Sequence, residues 1–257
     1  MTTIRIDRVV SLAEKETRVM LYHKMNLILL TVPLFYSVIS ILYVRTGTSG
    51  IFFSFIIGFT GTLTVLLPIQ FTNTIFIEER MKRTIEPILS SPITSSEIIV
   101  GKTLPMVTLS TLTGLASLLP QLILMGGRLS PLAVCSIVTA LIVSSFIGSC
   151  LGILLSIKFQ SLQAVSLPTF ILFFFLWITM SVAPSSAGGY APIFYFSPTY
   201  YLRQVILSTV EVSPSPLGLV WTAELPLALS LGAMIFIAGA LIVLTAKVFE
   251  WEDFLTR

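Results

Sequence analysis

Six long apolar segments constrain the fold of this chain more than any other feature. Placing Arg, Lys or Asp at the centre of a membrane helix costs about 2.5–3.5 kcal/mol, so segments without charges mark candidate spans. Each segment is close to or above the ~20 residues that cross a bilayer core of about 30 Å. The segments are 27–44, 51–77, 103–126, 131–157, 162–182 and 225–246. They predict an all-α integral membrane protein with six transmembrane helices.

The composition of the chain excludes an ordinary soluble protein. Hydrophobic residues make up 55% and charged residues 11% of the 257, and the mean hydropathy is +0.97, values typical of membrane proteins. His23 is the single histidine, and no Cys/His cluster indicates a metal site. A charged stretch without a short apolar core precedes the first apolar segment, so we expect no cleaved signal peptide.

The distribution of Lys and Arg predicts the orientation in the membrane. With six spans and a cytoplasmic N-terminus, twelve of the fifteen basic residues lie on the inner side, and only Arg45, Arg128 and Arg203 lie on the outer side. Cytoplasmic loops are enriched in Lys and Arg, and the inverted topology would reverse this bias. We therefore expect a multi-pass protein of the cell (plasma) membrane with both termini in the cytoplasm.

The segment between the last two apolar runs allows two topologies. Residues 159–202 carry no charge, and one span uses about half of them. The remainder contains Pro192, Pro198 and several tyrosines, which suit the headgroup zone of a bilayer. We predict short external helices at the interface, within an external loop of residues 183–224. A seventh crossing is the alternative, and it would place the C-terminus outside.

The first 24 residues predict an amphipathic helix. Asp7, Glu14 and Arg18 lie away from an apolar face that recurs with helical spacing. That face consists of Ile6, Val9, Val10, Ala13 and Met20. We predict that residues 1–24 form an interfacial helix on the cytoplasmic leaflet that leads into the first span. An ordinary charged tail is the alternative.

A polar segment, residues 78–102, separates the second and third apolar runs. Its charged residues are Glu78, Glu79, Arg80, Lys82, Arg83, Glu86, Glu97 and Lys102. A first helix is predicted to continue from the second span through 78–89, with a kink or stop near Pro87, and Ser90-Ser91-Pro92 then breaks the chain. Thr94 and Glu97 have the spacing of a capping box that starts a second helix. The pattern predicts a bent cytoplasmic element that is continuous with two membrane helices. A displacement of this element would move both spans.

The sequence of this element resembles the signature of type-2 ABC transporter permeases. The matching groups are Thr84-Ile85-Glu86, Ile88-Leu89, Ser91-Pro92-Ile93, Glu97-Ile98 and Gly101-Lys102. Arg83 departs from the family pattern, in which Gly is commoner. A second group, Ser197-Pro198-Thr199-Tyr200 followed by Arg203, is similar to the Asn-Pro-x-x-Tyr group before the family's last span, with Ser in place of Asn.

The resemblance implies the membrane subunit of an ATP-driven ABC exporter. Residues 78–102 would be the coupling element that docks on a separate ATPase subunit, and two permeases, as copies or paralogues, would work with two ATPases. The residues implied in this contact are Glu79, Arg80, Arg83, Thr84, Glu86, Ile88, Leu89, Ser91, Pro92, Ile93 and Glu97. The alternative is that these charges only solvate a loop and enforce the topology.

Several further features bear on function. Nothing resembles a P-loop, so ATP and Mg²⁺ would bind the partner subunit, and we expect no cofactor in this chain and no nucleic-acid partner. Gly148 and Gly152 form a Gly-x-x-x-Gly pair that packs helices closely, either within the chain or between two copies. Glu224, at the outer start of the last span, is a weak candidate for contact with a cationic substrate, but a carboxylate is also favourable at a helix N-terminus.

These observations together predict a single transmembrane permease domain, residues 1–257, that moves an amphiphilic or hydrophobic substrate by alternating access. One alternative is a membrane-anchoring or assembly subunit of an ABC-like complex that transports no solute. The other is a secondary carrier, which would usually need an ionisable residue deep in a span. The predicted spans contain none.

Overall fold

The structure is a computed structural model that describes residues 5–22, 24–45, 50–82, 95–124, 130–159, 161–181, 191–209 and 223–251. These residues form helices and no strand. The helices are α1 (Ile6–Tyr22), α2 (Lys24–Arg45), α3 (Gly50–Met81), α4 (Ser95–Leu124), α5 (Pro131–Lys158), α6 (Leu162–Ser181), α7 (Ala191–Phe194), α8 (Pro198–Thr209) and α9 (Leu227–Trp251).

Five stretches of the described residues are long and apolar enough to cross a membrane. They are Gly58–Met81, Glu97–Ile123, Pro131–Lys158, Leu162–Ser181 and Leu227–Val248. The first predicted span falls within α2, whose described apolar stretch is the shorter Leu30–Ile39. The all-α fold is therefore confirmed with five candidate spans, and the sixth span stays a prediction.

Local sequence explains where the α5 helix begins. The Ser130 hydroxyl caps it by accepting a hydrogen bond from the Ala133 backbone N–H at 3.1 Å, and Pro131 occupies the first turn. Ser at the cap and Pro just after it are both favoured at helix N-termini, because Pro lacks the N–H that would have no partner there.

Helix α3 lies at the centre of the bundle and packs against α2, α4, α5 and α6. The α5 helix approaches it closely at Gly148 and Gly152. A Cβ atom at Gly148 would collide with the backbone carbonyl of Val65, and one at Gly152 would lie 2.8 Å from Thr72 Cβ. The Gly-x-x-x-Gly pair therefore packs within the chain, which is one of the two interpretations that the sequence allowed.

Two apolar clusters lie at opposite ends of the bundle. One joins Phe76 near the end of α3, Ile99 near the start of α4 and Ile157 near the end of α5, with Val248 of α9 beside them. The other joins Leu122 near the end of α4 to residues from the first half of α5 and from α8 and α9. Consecutive long helices therefore run in alternate directions. Helix α1 packs against the first part of α4, and we call that end of the bundle the α1 end.

The short helices α7 and α8 lie at the other end. Helix α8 packs against α5, α6 and α9, and its residues from Pro198 to Ile206 are buried. At 12 residues, α8 is too short to cross a bilayer core of about 30 Å by itself.

Candidate functional site

The candidate site lies at the α1 end, where the chain leaves α3 and later enters α4. Most of the predicted contact residues fall outside the described residues. These are Arg83, Thr84, Glu86, Ile88, Leu89, Ser91, Pro92 and Ile93. Glu79, Arg80 and Glu97 are described. They belong to the end of α3 and the start of α4, the two stretches that precede and follow segment 83–94. We call these two stretches the flanks of the segment.

A cluster of three charged side chains, two of them buried and the third partly buried, joins these flanks. The Lys102 ammonium of α4 lies 2.5 Å from Glu79 Oε2 of α3 and 3.2 Å from Glu16 Oε1 of α1. It also lies 5.3 Å from the centre of the Phe76 ring. The Lys102 residue is 0% exposed and Glu16 is 1% exposed. A charge buried this completely requires partners, because moving it out of water without them is costly.

The sequence around Gly101 explains how α1 reaches the cluster. A Cβ atom at Gly101 would lie 2.8 Å from Leu12 Cδ2, so the absence of a side chain lets the two helices approach closely. Leu12, Ala13 and Met20 are buried on the same face of α1 as Glu16. The apolar packing of α1 thus brings the Glu16 carboxylate to the Lys102 ammonium.

Only part of the apolar face of α1 packs against the protein. Val9, Ala13 and Met20 are buried, whereas Ile6 and Val10 are 74% and 55% exposed. Helical periodicity places these residues on neighbouring positions around the helix. It does not show which part of a broad apolar face meets the protein, nor that Glu16 lies within the buried part.

Two further contacts tie the flanks to neighbouring elements. The Glu97 carboxylate, buried at the start of α4, accepts a hydrogen bond from the Arg5 backbone N–H at 2.7 Å. Its predicted capping partner, Thr94, lies outside the described residues. Arg80 Nη1 donates to the Ile157 carbonyl oxygen near the end of α5 at 3.4 Å, where a cation complements the helix dipole. Glu79, Arg80 and Glu97 therefore all have partners within the chain.

Glu224 is held by contacts with α8 at the other end of the bundle. Its carboxylate accepts a hydrogen bond from the Tyr200 hydroxyl at 3.3 Å, and its backbone N–H donates to Gln204 Oε1 at 2.8 Å. Burial raises the pKa of Tyr200, and the Glu224 carboxylate raises it further, so the phenol stays a neutral donor. Burial lowers the pKa of the neighbouring Arg203, and Glu224 opposes that shift. These contacts give Glu224 a role in attaching α8 to the start of α9.

Three buried hydroxyl groups connect α8 to α6. The side-chain oxygens of Thr179, Ser197 and Thr199 lie 2.6–2.8 Å from one another. Thr199 also donates to the Leu176 carbonyl oxygen at 2.8 Å. The Ser-Pro-Thr-Tyr group that the sequence singled out thus fixes α8 against α6. Sequence analysis missed Thr179, since a Thr within an apolar run gives no signal of its partner.

Two polar groups of α3 bond to other helices of the same chain. Gln121 Nε2 of α4 donates to Thr60 Oγ1 at 3.2 Å, and the Ser145 hydroxyl of α5 donates to the Thr64 carbonyl oxygen at 3.4 Å. Hydrogen bonds of this kind hold membrane helices together. Across the described part of the chain, no three His, Cys, Asp or Glu side chains are grouped closely enough to hold a metal ion.

Comparison with known protein families decides the class of the chain. The model of the family described as "ABC-2 family transporter protein" matches residues 10–254. The chain belongs to this family. The resemblance drawn from residues 79–102 and 197–203 is therefore confirmed, and the chain is a membrane protein of the ABC-2 transporter family. No curated protein matches the chain.

Membership in the ABC-2 family bears on where ATP is hydrolysed and on which partner the chain has. Permeases of this family are membrane subunits without an ATPase domain of their own. The family also implies a partnership with an ABC ATPase. The flanks joined by Glu79 and Lys102 lie on either side of segment 83–94 of this ABC-2 protein, which contains most of the residues predicted to contact the ATPase.

Proposed function

We propose that this ABC-2 protein is the permease subunit of an ATP-driven exporter, in which segment 83–94 receives the movement of a separate ATPase subunit. The contact between Glu79 and Lys102 carries this proposal. It joins the end of α3 to the start of α4 across that segment, at a separation of 2.5 Å. Because the two flanks are joined in this way, a displacement of the segment would move both α3 and α4.

The contact surface would consist of the residues that match the family signature. Glu86, Ile88, Leu89, Ser91, Pro92 and Ile93 would meet the ATPase, with Arg83 and Thr84 beside them. Because Glu79, Arg80 and Glu97 have partners within the chain, we assign them to support of the segment. Closure of the ATPase pair around ATP would push the segment, and α3 and α4 would move in response.

The remaining features of the proposal follow from the sequence. Six spans with the α1 end in the cytoplasm place most Lys and Arg on the inner side of the cell membrane. Two permeases, as copies or paralogues, would assemble with two ATPases, which would bind ATP and Mg²⁺. The substrate would be amphiphilic or hydrophobic, because the predicted spans contain no charged residue. It would cross by alternating access.

Stimulation of the ATPase by the permease tests this proposal. We expect Glu86→Ala and Pro92→Ala to lower the stimulated ATPase rate of the complex in lipid nanodiscs by about fivefold or more, a typical size for coupling between two sites. Cys135→Ser is the matched control, because Cys135 is exposed at the opposite end of the bundle. Unchanged stimulation and unchanged ATPase binding in both variants would refute the coupling role.

A further inference from the structure

We propose that Glu16 is a positioning residue that makes α1 part of the coupling unit. Through Lys102 it would hold α1 in a fixed register on the flanks of segment 83–94, so that α1, the end of α3 and the start of α4 move as one body. This inference rests on the proposed coupling role of segment 83–94. It adds a third element, distant in sequence, to the two helices that the segment connects directly.

The arrangement of charges supports a role for Glu16 beyond simple packing. Lys102 Nζ contacts one carboxylate from α3 and one from α1, and the side chains of Lys102 and Glu16 are 0% and 2% exposed. Glu79 precedes the proposed contact surface in the chain, and Lys102 follows it. Glu16 therefore bonds to the same ammonium group that joins the two flanks of the segment.

Apolar contacts hold α1 in place independently of Glu16. Met20 packs with Leu67 and Phe71 of α3 and with Met106 of α4, and Leu12 lies against Gly101. Such contacts are not directional, and packed helices can slide past each other by small amounts. The ion pair between Glu16 and Lys102 is directional, so it can fix the register that the apolar contacts leave adjustable.

The exposed charges of α1 provide a matched comparison. Glu14 pairs with Arg18 on the same helix at 2.6 Å, and both side chains are largely exposed. Replacement of Glu14 by Gln changes the same charge on the same helix and leaves the contacts of Lys102 intact. A difference between Glu14→Gln and Glu16→Gln therefore reports the contact with Lys102 and not the net charge of α1.

The test measures the distance between two spin labels and the stimulated ATPase rate, both in the complex of the permease with its ATPase. Spin labels are placed at Ser11 of α1 and Lys82 after α3, both exposed, in a chain that carries Cys135→Ser and Cys150→Ala. Pulsed electron paramagnetic resonance gives the distance between labels without nucleotide and with ATP trapped by vanadate. We expect this distance to stay constant in the parent and in Glu14→Gln, and to shift or broaden with nucleotide in Glu16→Gln.

ATPase stimulation is measured on the same samples without labels. We expect Glu16→Gln to reduce it by about fivefold and Glu14→Gln to leave it unchanged. Thermal unfolding of both variants confirms that each is folded, and Glu16→Asp, which keeps the charge, should recover part of the loss. The inference is overturned if Glu16→Gln matches Glu14→Gln in both the distance and the rate.

The outcomes also separate this inference from the proposed function. If Glu86→Ala and Pro92→Ala abolish stimulation while Glu16→Gln does not, segment 83–94 couples without α1, and only the inference fails. If none of these variants changes the rate or the binding of the ATPase, the proposed function fails as well.

Discussion

Glu79 Oε2 and Lys102 Nζ lie 2.5 Å apart, although 23 positions separate the two residues in the chain. The pair joins α3 and α4 on either side of segment 83–94, for which we propose contact with the ATPase. Because Glu16 of α1 also reaches Lys102, one ammonium group holds three helices together. Removal of the Lys102 ammonium should therefore affect both the stability of the chain and its coupling to the ATPase subunit.

Lys102→Met should be strongly destabilising. The substitution keeps an unbranched side chain but leaves the carboxylates of Glu16 and Glu79 close together without a cation. Loss of one member of a buried ion pair costs about 3–5 kcal/mol. Lys82→Met is the control, since the exposed Lys82, just after α3, pairs with the partly exposed Glu78 of α3. This substitution should change the free energy of unfolding by less than about 1 kcal/mol. Chemical unfolding in detergent micelles measures the free energy of unfolding of both variants. Equal losses in Lys102→Met and Lys82→Met would contradict the role of Lys102.

Gly148→Ala should weaken the contact between α5 and α3. The new Cβ would meet the Val65 carbonyl, which belongs to the backbone of α3 and cannot turn away as a side chain could. We expect a loss of about 1–3 kcal/mol, the usual cost of overpacking. At Gly232 of α9, among the described residues, no atom beyond its chain neighbours and the nearby backbone of its own helix lies within 4 Å of an added Cβ. Gly232→Ala should therefore be neutral or slightly stabilising. A thermal-shift series on the two variants compares them, and a neutral Gly148→Ala would be inconsistent with this packing.

Thr179→Val should loosen α8 from α6. It removes one of three mutually bonded hydroxyls while it preserves the shape of the side chain, at an expected cost of about 1–3 kcal/mol. Hydrogen exchange followed by mass spectrometry should show faster exchange in residues 191–209. Thr139→Val is the control, because the exposed Thr139 hydroxyl donates to the Cys135 carbonyl of its own helix. If the two variants gave the same exchange in α8, the hydroxyl cluster would not fix that helix.

The long helices could be predicted from sequence because the cost of burying charge in a bilayer is large and local. The apolar run 131–157 corresponds to Pro131–Lys158, and 162–182 corresponds to Leu162–Ser181. The polar segment 78–102 lengthens two of the helices, since α3 continues to Met81 and α4 already begins at Ser95. Hydrophobicity alone does not locate these ends, because a helix that leaves the membrane continues as long as its backbone and packing allow.

The central ion cluster could not be predicted in the same way. Glu16 lies on a helical face with Leu12, Ala13 and Met20, where a carboxylate contradicts the apolar pattern unless its partner is known. That partner, Lys102, is 86 residues away, and no local rule connects the two. Pairing across such a distance depends on how α1 packs against α4, which is a property of the tertiary structure.

A site-specific photo-crosslink tests most directly whether segment 83–94 binds the ATPase subunit. Benzoylphenylalanine would replace Leu89 within the segment or, as the control, Phe196, which is exposed at the opposite end of the bundle. Each variant is irradiated in the assembled complex in nanodiscs. The account predicts a crosslink to the ATPase from position 89 and none from position 196. Failure of position 89 to crosslink in a complex that is intact by size-exclusion chromatography would contradict it.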